Sequence, residues 1–201
     1  GSGKSVHAEA LEKKLNENGI PCTRIWARWI STISFPFRGL IYVLTGYRRK
    51  DYHKSRILRS YFAYLTIFDF LYLYMTKIKY QLLMGKIVIC DRYVYDLIAD
   101  LSHLGLDNER AVKTLLKVIP EPDIIFWLDL PEDIALSRKD DTYDKIPKLR
   151  SDNAIEYLKE QRKKYSDIAN KMNIKPIYTT NEFDEVQDKI FEEVFYTYIK
   201  R

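Results

Sequence analysis

The feature that most constrains the fold is a pentapeptide at the start of the sequence: Gly1, Ser2, Gly3, Lys4 and Ser5. Read as GSGKS, it is the second half of the phosphate-binding pattern G-x-x-x-x-G-K-[ST]. In that pattern the glycines let successive backbone N–H groups turn inward around a phosphate. The lysine neutralises the β- and γ-phosphates of a nucleotide, and the serine hydroxyl binds Mg²⁺. We therefore predict a phosphate-binding loop in which Lys4 is catalytic and Ser5 is a magnesium ligand.

An amphipathic helix is predicted directly after the loop, over residues 5–18, and Gly19 follows it. Apolar side chains recur within it at helical spacing, at Val6, Ala10, Leu11 and Leu15. The positive end of such a helix would point at the bound phosphate. We expect the opening glycine of the pattern and the first strand of the sheet to lie before residue 1, or to be missing. The alternative is that GSG is a remnant of cloning.

Apolar, β-branched runs alternate with helical patterns along the rest of the chain. The strongest run, residues 86–91, reads KIVICD and is typical of a parallel strand buried on both faces. Further strands are predicted over residues 23–27, 124–130 and 177–180. This alternation predicts an α/β fold with a doubly wound parallel sheet flanked by helices. We find no linker or repeat and predict a single domain over residues 1–201.

Asp91 and Arg92 follow the strongest strand, where ligands bind in open α/β sheets. A carboxylate there can hold the water shell of Mg²⁺ or accept a proton from an attacking oxygen. The guanidinium of Arg92 matches the geometry of a phosphate group. The alternative is an ordinary salt bridge at a strand end, but together with the phosphate-binding loop the catalytic interpretation is the better one.

Residues 138–150 form a charged segment, RKDDTYDKIPKLR, that follows a predicted helix. One interpretation is a solvated loop. The other is a short lid whose basic side chains close over phosphates and exclude water. Its candidate cations are Arg138, Lys139, Lys145 and Arg150, and the pattern does not decide which of them points inward.

Charge and cysteine content narrow the functional classes. The chain of 201 residues has 33 basic and 28 acidic side chains and a formal charge of +5, which fits an anionic ligand. Because the basic residues are dispersed among acids, we predict no nucleic-acid partner. The cysteines, Cys22 and Cys90, form neither a C-x-x-C motif nor a disulfide framework, and no signal peptide is visible. We therefore expect a cytoplasmic protein.

The aromatic stretch over residues 61–75, YFAYLTIFDFLYLYM, imitates a membrane span. Asp69 interrupts it, and Lys77 and Lys79 follow, so the apolar run is shorter than the roughly 18–20 residues that a span needs. A helix that is apolar nearly all round is more often buried between layers or at a subunit interface. We predict no membrane association, and we expect a homodimer through the helix over residues 56–83.

These motifs together resemble the thymidylate kinase family of P-loop nucleotide kinases over nearly the whole chain. GSGKS matches the end of that family's G-x-D-G-x-G-K-[ST] loop, and residues 85–93, GKIVICDRY, match its G-x-[IV]-V-[IL]-C-D-R-[YF] strand. Pro122-Asp123, residues 128–130 (LDL) and residues 135–138 (ALSR) resemble the run that leads into the lid.

The resemblance implies a P-loop kinase fold and transfer of phosphate from ATP, with Mg²⁺, to a nucleoside monophosphate. The leading acceptor is dTMP. It also implies that Lys4 and Arg138 contact ATP phosphates and that Arg92 contacts the acceptor phosphate. The loop at Thr180 and Asn181 would lie near adenine.

The sequence departs from the family pattern on the acceptor side. Arg28-Trp29 stands in place of Glu-Pro, Asp69-Phe70 in place of Asp-Arg, and Asp100-Leu101 in place of Tyr-Gln. The candidate acceptor-binding residues are Arg28, Arg38, Asp69, Phe70, Arg92, Tyr93 and Asp100. The alternatives are a kinase of another small acceptor, such as a nucleoside or a different monophosphate, and a nucleotide-binding module without turnover.

Overall fold

The computed structural model describes residues 3–137, 154–180 and 182–199. The chain forms two compact units, Gly1–Ile20 with Asp123–Arg201 and Pro21–Pro122, which we name the terminal unit and the central unit after their place in the sequence. In chain order the α-helices and β-strands are α1 (Lys4–Glu17), β1 (Cys22–Trp26), α2 (Ser34–Thr45), α3 (Arg56–Leu73), α4 (Lys79–Leu83), β2 (Ile87–Asp91), α5 (Val94–His103), α6 (Glu109–Val118), β3 (Trp127–Asp129), α7 (Glu132–Ser137), α8 (Ala154–Lys171), β4 (Pro176–Tyr178) and α9 (Phe183–Ile199). The predicted lid, residues 138–150, lies outside the described residues.

The central unit contains a parallel pair of strands, β1 and β2. Cys22 pairs with Ile87 and Trp26 pairs with Asp91. The backbone N–H of Ala27 extends the pair by donating to the Asp91 carbonyl at 3.1 Å. Because parallel strands need a crossover connection, the helices between β1 and β2 are part of the same unit. The predicted α/β class is confirmed, whereas the doubly wound sheet and the single domain stay predictions.

One helical stretch runs through residues 56–83, as predicted. It comprises α3, a π-type turn at Tyr74–Ile78 and α4. Ser55 caps its start by accepting a hydrogen bond from the backbone N–H of Leu58 at 3.4 Å. Gly85 follows its end with a φ of 74°, a left-handed conformation that favours glycine. Among the described helices, none has the length and apolar composition that crossing a membrane requires.

The buried side of α3 builds the main core of the central unit. Phe62 is 1% exposed and packs edge to face on Tyr52 and Trp29, with ring centroids 4.8 and 6.2 Å apart. Leu97 of α5 and Leu115 of α6 belong to the same buried cluster. Each such side chain stabilises the fold by about 1.5–3 kcal/mol through burial.

A single carboxylate, that of Asp69 on α3, holds the segment between β1 and α2. Asp69 is 1% exposed. Its Oδ2 accepts a hydrogen bond from Trp29 Nε1 at 2.9 Å. Its Oδ1 accepts from the backbone N–H groups of Thr32 at 3.0 Å and Ser34 at 2.8 Å, and from the Thr32 hydroxyl at 3.1 Å. Four donors satisfy this buried charge, and they fix both the segment and the start of α2.

The terminal unit contains a second parallel pair, β3 and β4, in which Leu128 pairs with Ile177. The strand predicted over residues 124–130 is shorter in the structure, which gives it Trp127–Asp129. At its end Arg162 of α8 binds the buried Asp129 through two hydrogen bonds, Nε to Oδ1 at 2.8 Å and Nη2 to Oδ2 at 2.6 Å. This bidentate geometry fastens α8 to the end of β3.

Asp69→Ala should destabilise the central unit, because it leaves the buried donors of Trp29 and Ser34 and the partly buried donors of Thr32 without their acceptor. We expect the free energy of unfolding to fall by about 3 kcal/mol, measured by urea unfolding followed through tryptophan fluorescence. Asp69→Asn is the matched control, since it keeps one carbonyl oxygen for these donors and should cost clearly less. Equal losses in the two variants would contradict the anchoring role of the carboxylate.

Candidate active site

The start of α1 has the geometry of a phosphate-binding helix end. Gly3 precedes the helix with a φ of 72°, which side chains other than glycine rarely adopt. A Cβ atom at Gly3 would also lie 3.4 Å from Cδ2 of His7. The first turn of α1, all of it described, carries no acidic side chain. The N–H groups and the positive end of the helix are therefore suited to an anion.

Lys4 and Ser5 stand on the first turn, as the loop prediction requires. Ser5 is exposed, and Lys4 is half-buried with its Nζ 5.8 Å from the centroid of the Tyr165 ring on α8. A cation over an aromatic face is attracted to it weakly, so this contact orients the side chain of Lys4. Gly1 and Ser2 lie outside the described residues, and their role in phosphate binding stays a prediction.

His7 holds the start of α1 in place, a role that the sequence analysis did not predict. It is 5% exposed, and its Nδ1 lies 2.9 Å from Oε1 of Gln187 on α9. Its ring stacks on that of Phe183, with centroids 4.4 Å apart and planes at 15°. Val6, one of the apolar residues of the helical pattern, is 59% exposed, and His7 takes the inward place. His7 thus positions α1 against α9.

In the central unit, Asp91 ends β2 with a buried carboxylate. It is 3% exposed, and its Oδ2 lies 3.7 Å from Nη1 of Arg24. Its Oδ1 is buried and has no hydrogen-bond partner among the residues that the structure describes. A buried oxygen without a partner needs an explanation, because leaving it unsatisfied costs free energy. An anionic oxygen of this kind fits a magnesium ion or its water shell.

Arg92 adopts an uncommon backbone conformation, with a φ of 78°. Its Nη1 donates to Oδ1 of Asp96 at 2.9 Å, and Oδ2 of Asp96 accepts from the backbone N–H of Tyr93 at 3.3 Å. Strained residues cluster at functional sites, and here the strain coincides with the arginine predicted to bind phosphate. Asp96 is the orienting partner that the sequence prediction missed, although its position four residues after Arg92 was a usable signal.

The rings of Phe70 and Tyr93 pack against each other in the central unit. Their centroids are 5.4 Å apart at 79°, and Phe70 is 0% exposed. The Tyr93 hydroxyl donates to the carbonyl of Pro120 at 2.8 Å, and burial raises the pKa of this phenol. Phe70 therefore contributes to the core in the structure. The predicted roles of both residues in acceptor binding stay predictions.

Other predicted acceptor residues lie together around Arg49, which the sequence prediction did not select. Arg28 forms an ion pair with Asp100, Nη2 to Oδ2, at 3.8 Å. The guanidinium of Arg49 stacks on the Trp29 ring, with Cζ 4.4 Å from the centroid. Burial lowers the pKa of Arg49, Asp100 opposes that effect, and the charges of Arg38 and Arg28 add to it. Arg28 and Arg49 thus share the field of Asp100, and Arg38 lies close enough to Arg49 to repel it.

Of the remaining predicted site residues, some lie in the part of the chain that the structure describes and others lie outside it. Asp69 serves as the anchor of the segment after β1, so its carboxylate is already engaged by protein donors. Thr180 is exposed in the turn after β4. Asn181 and Arg138 lie outside the described residues. The roles proposed for these four residues in binding nucleotides stay predictions.

Comparison with known protein families matches this chain to a family model. The model of the family described as "Thymidylate kinase" aligns with residues 1–190. This alignment includes the loop at the start of α1, the end of β2 and most of the terminal unit.

Individual relatives carry the same name. The chain is 33% identical to the "Probable thymidylate kinase" of Sulfolobus acidocaldarius over 55% of each protein, so it spans about half the length of the first curated relatives it matches. It is 30% identical to the "Probable thymidylate kinase" of Methanocaldococcus jannaschii over 94% of this chain and 88% of the relative. It is 24% identical to the "Thymidylate kinase" of Plasmodium falciparum over 96% and 84%.

Arg92→Lys should behave nearly as badly as Arg92→Ala in acceptor-dependent release of ADP. The reason is that a point charge cannot replace a guanidinium fork that Asp96 already orients. We expect both variants to lose about a hundredfold in kcat/KM for the acceptor, measured at saturating ATP. If lysine restores most of the activity, Arg92 is a generic cation and the fork geometry is irrelevant.

Proposed function

This chain belongs to the thymidylate kinase family, and from that premise we propose that it transfers the γ-phosphoryl group of ATP to dTMP, forming ADP and dTDP. The observation that carries the proposal is the left-handed Gly3 at the start of α1, followed by Lys4 and Ser5. That arrangement is what binding a nucleotide phosphate requires.

On the donor side, residues of the terminal unit bind ATP. Backbone N–H groups at the start of α1 surround the β-phosphate, and Lys4 neutralises charge that grows on the transferred group. His7 acts through the loop, because its contacts with Gln187 and Phe183 fix the start of the helix. Arg138 adds a further cation to the phosphates, and Thr180 and Asn181 bind next to the adenine.

On the acceptor side, residues of the central unit bind the monophosphate. Arg92 donates to the acceptor phosphate from a guanidinium that Asp96 orients at 2.9 Å. Arg28, Arg38 and Asp100 surround the rest of the acceptor. Phosphoryl transfer depends mainly on positioning and charge neutralisation, so these contacts account for most of the chemistry that the protein supplies.

Magnesium fits the residues present. The Ser5 hydroxyl is exposed at the start of α1, and Asp91 offers a buried carboxylate oxygen without a protein partner in the described chain. Both are hard oxygen donors of the kind that magnesium prefers. When bound with ATP, the ion neutralises phosphate charge. Asp91 alternatively accepts the proton of the attacking oxygen.

A second candidate function is phosphorylation of an acceptor other than dTMP. It is favoured by Phe70 and Asp100, which replace the family's base-reading Arg and Tyr. Phe70 is buried and has no hydrogen bond to offer a thymine carbonyl, and Asp100 is paired with Arg28 at 3.8 Å. A nucleotide-binding module without turnover is the third possibility, and ATP binding without acceptor-dependent ADP release would identify it.

We further infer a homodimer through residues 56–83. Several apolar side chains on this stretch, from 48 to 69% exposed, are spaced by three, four or seven residues: Ile57, Tyr61, Phe68, Tyr72 and Met75. Such spacing places them along one side of a helix. Monomeric proteins rarely expose a continuous apolar row of this kind, which supports a subunit interface.

The wider organisation follows the family. We infer one kinase domain over residues 1–201 with a doubly wound parallel sheet and a lid at residues 138–150. The substrates are small nucleotides that are made and used in the cytoplasm, so we place the protein there. Neither a nucleic acid nor a membrane is part of the proposed reaction.

Lys4→Ala should abolish phosphoryl transfer and leave the fold intact, because Lys4 acts on ligand phosphates and lies outside the core. We expect a loss of roughly 3–5 kcal/mol of transition-state stabilisation, measured as kcat/KM for acceptor-dependent ADP formation. Lys13→Ala, which removes an exposed lysine from the same helix, is the matched control and should be nearly silent. A Lys4→Ala rate near that of the wild type would contradict the phosphate-loop assignment.

We expect the preference for dTMP over other monophosphates to be weaker than in a site that recognises the base through hydrogen bonds. The reason is that neither Phe70 nor Asp100 donates a hydrogen bond to a thymine carbonyl. The measurement is kcat/KM for dTMP, dUMP, dCMP, dAMP and dGMP under one set of conditions. A preference for dTMP above roughly 10³-fold over all the others would show that different residues read thymine, while the kinase assignment would stand.

A further inference from the structure

Helix α2 exposes apolar side chains and turns polar ones inward. Ser34 is 0% exposed and Arg38 is partly buried. The apolar side chains that are 48 to 80% exposed are Phe35, Phe37, Leu40, Tyr42, Val43 and Leu44, which we name the α2 face. A surface helix of a globular domain normally has the opposite arrangement. An exposed apolar patch of this kind marks a surface that binds another apolar body.

The α2 face is too wide for a single neighbouring helix to cover. At about 100° per residue, the positions from Tyr42 through Val43 to Phe37 span more than half of the helix circumference. A helix that packs on a protein buries a stripe of about 100°. A helix that lies in the interface of a bilayer instead has lipid along its whole lower side. The width of the face therefore favours a bilayer.

The sequence around α2 has charge of one sign. Between Glu17 and Asp51 it contains no acidic residue, although 28 of the 201 residues of the chain are acidic. Arg48 and Lys50 follow the helix with exposed side chains. Cζ of Arg48 lies 5.9 Å from the ring centroid of Tyr42, so a cation borders the α2 face. Apolar side chains bordered by cations are suited to a membrane with anionic headgroups.

A second copy of the chain is a poorer occupant of the α2 face. In a symmetric dimer the face would meet its own copy, because one patch from both subunits forms such an interface. The segment between Glu17 and Asp51 offers these cations no acid from either copy. Asp51 itself binds Lys54, whose Nζ lies 2.8 Å from its Oδ1. Anionic lipid supplies the complementary charge that a second α2 lacks.

The length of α2 suits a helix that lies on a bilayer. Its 12 residues extend about 18 Å, whereas the hydrocarbon core of a bilayer is about 30 Å thick. The helix can therefore insert its side chains at the surface but cannot cross.

We propose that α2 docks the protein peripherally on a lipid bilayer that carries anionic headgroups. The α2 face enters the boundary between headgroups and acyl chains, while Arg48 and Lys50 stay at the level of the headgroups. This replaces the expectation of no membrane association, which rested on the aromatic stretch over residues 61–75. The inference goes beyond the proposed function, because phosphoryl transfer to a soluble nucleotide needs no membrane.

The test measures co-sedimentation of the full chain with large unilamellar vesicles. One set is pure phosphatidylcholine, and the other contains about one third phosphatidylglycerol, which is anionic. We expect half-maximal binding to the anionic vesicles below about 1 mM lipid and at least about tenfold weaker binding to the neutral ones. Raising the salt concentration should weaken the binding to anionic vesicles. No binding to anionic vesicles at 1 mM lipid would overturn the proposal.

The variant Leu40→Gln/Leu44→Gln removes two exposed side chains of the α2 face, and glutamine has a helix propensity similar to that of leucine. We expect its affinity for anionic vesicles to fall at least about tenfold, with an unchanged Tm. The matched control, Leu116→Gln/Val118→Gln, removes two exposed apolar side chains of α6 and should change the affinity less than about twofold. Equal losses in the two variants would contradict the proposal.

A second pair of variants tests the charges. Arg48→Gln/Lys50→Gln should lower the affinity for anionic vesicles at least about fivefold and leave the binding to neutral vesicles unchanged. Lys113→Gln/Lys117→Gln removes the same charge from exposed positions of α6 and is its control. If both charge variants bind anionic vesicles equally well, the cations after α2 have no part in docking and the proposal is wrong.

Light scattering distinguishes a bilayer from a second copy as the occupant. If Leu40→Gln/Leu44→Gln lowers the molar mass in solution and binds vesicles like the wild type, the α2 face is an interface between copies and the proposal is overturned. An unchanged molar mass with weakened vesicle binding supports it. Neither measurement depends on turnover, so failure of the kinase proposal would be seen separately as absent ADP release without vesicles.

Discussion

The buried carboxylate of Asp69 is the contact on which the central unit depends. It joins α3 to the segment after β1 through four hydrogen bonds, one of them from the indole of Trp29. The ring of Trp29 in turn supports the guanidinium of Arg49. The anchor also fixes the start of α2, which carries Arg38. One carboxylate in the core therefore helps to position two partly buried cations, Arg38 and Arg49.

The sequence was most informative where a local pattern dictates structure. The β-branched run before Asp91 folds as β2, and the aromatic stretch folds as one helical segment over residues 56–83. The helix after the loop ends at Glu17, close to the predicted position, because Gly19 follows it. Periodicity and glycine placement act over a few residues, so they can be read without knowledge of the fold.

Contacts between distant residues could not be read in this way. His7 meets Gln187 across 180 positions, and a polar residue on the inward side of a helix breaks the hydrophobic pattern. Arg49 gains its importance from Trp29 and Asp100, which only the packed core brings near it. Asp96 differs from these cases, because a helical spacing to Arg92 was present in the sequence.

The π-type turn at Tyr74–Ile78 determines how the helical stretch over residues 56–83 responds to a change in its number of residues. One extra residue in a turn rotates everything that follows by about 100° relative to a regular α-helix. Deleting a single residue there would restore regular α-helical geometry and leave α4 in its present phase relative to β2. The turn is therefore a place where the helical stretch can lose one residue without rotating the side chains that follow it.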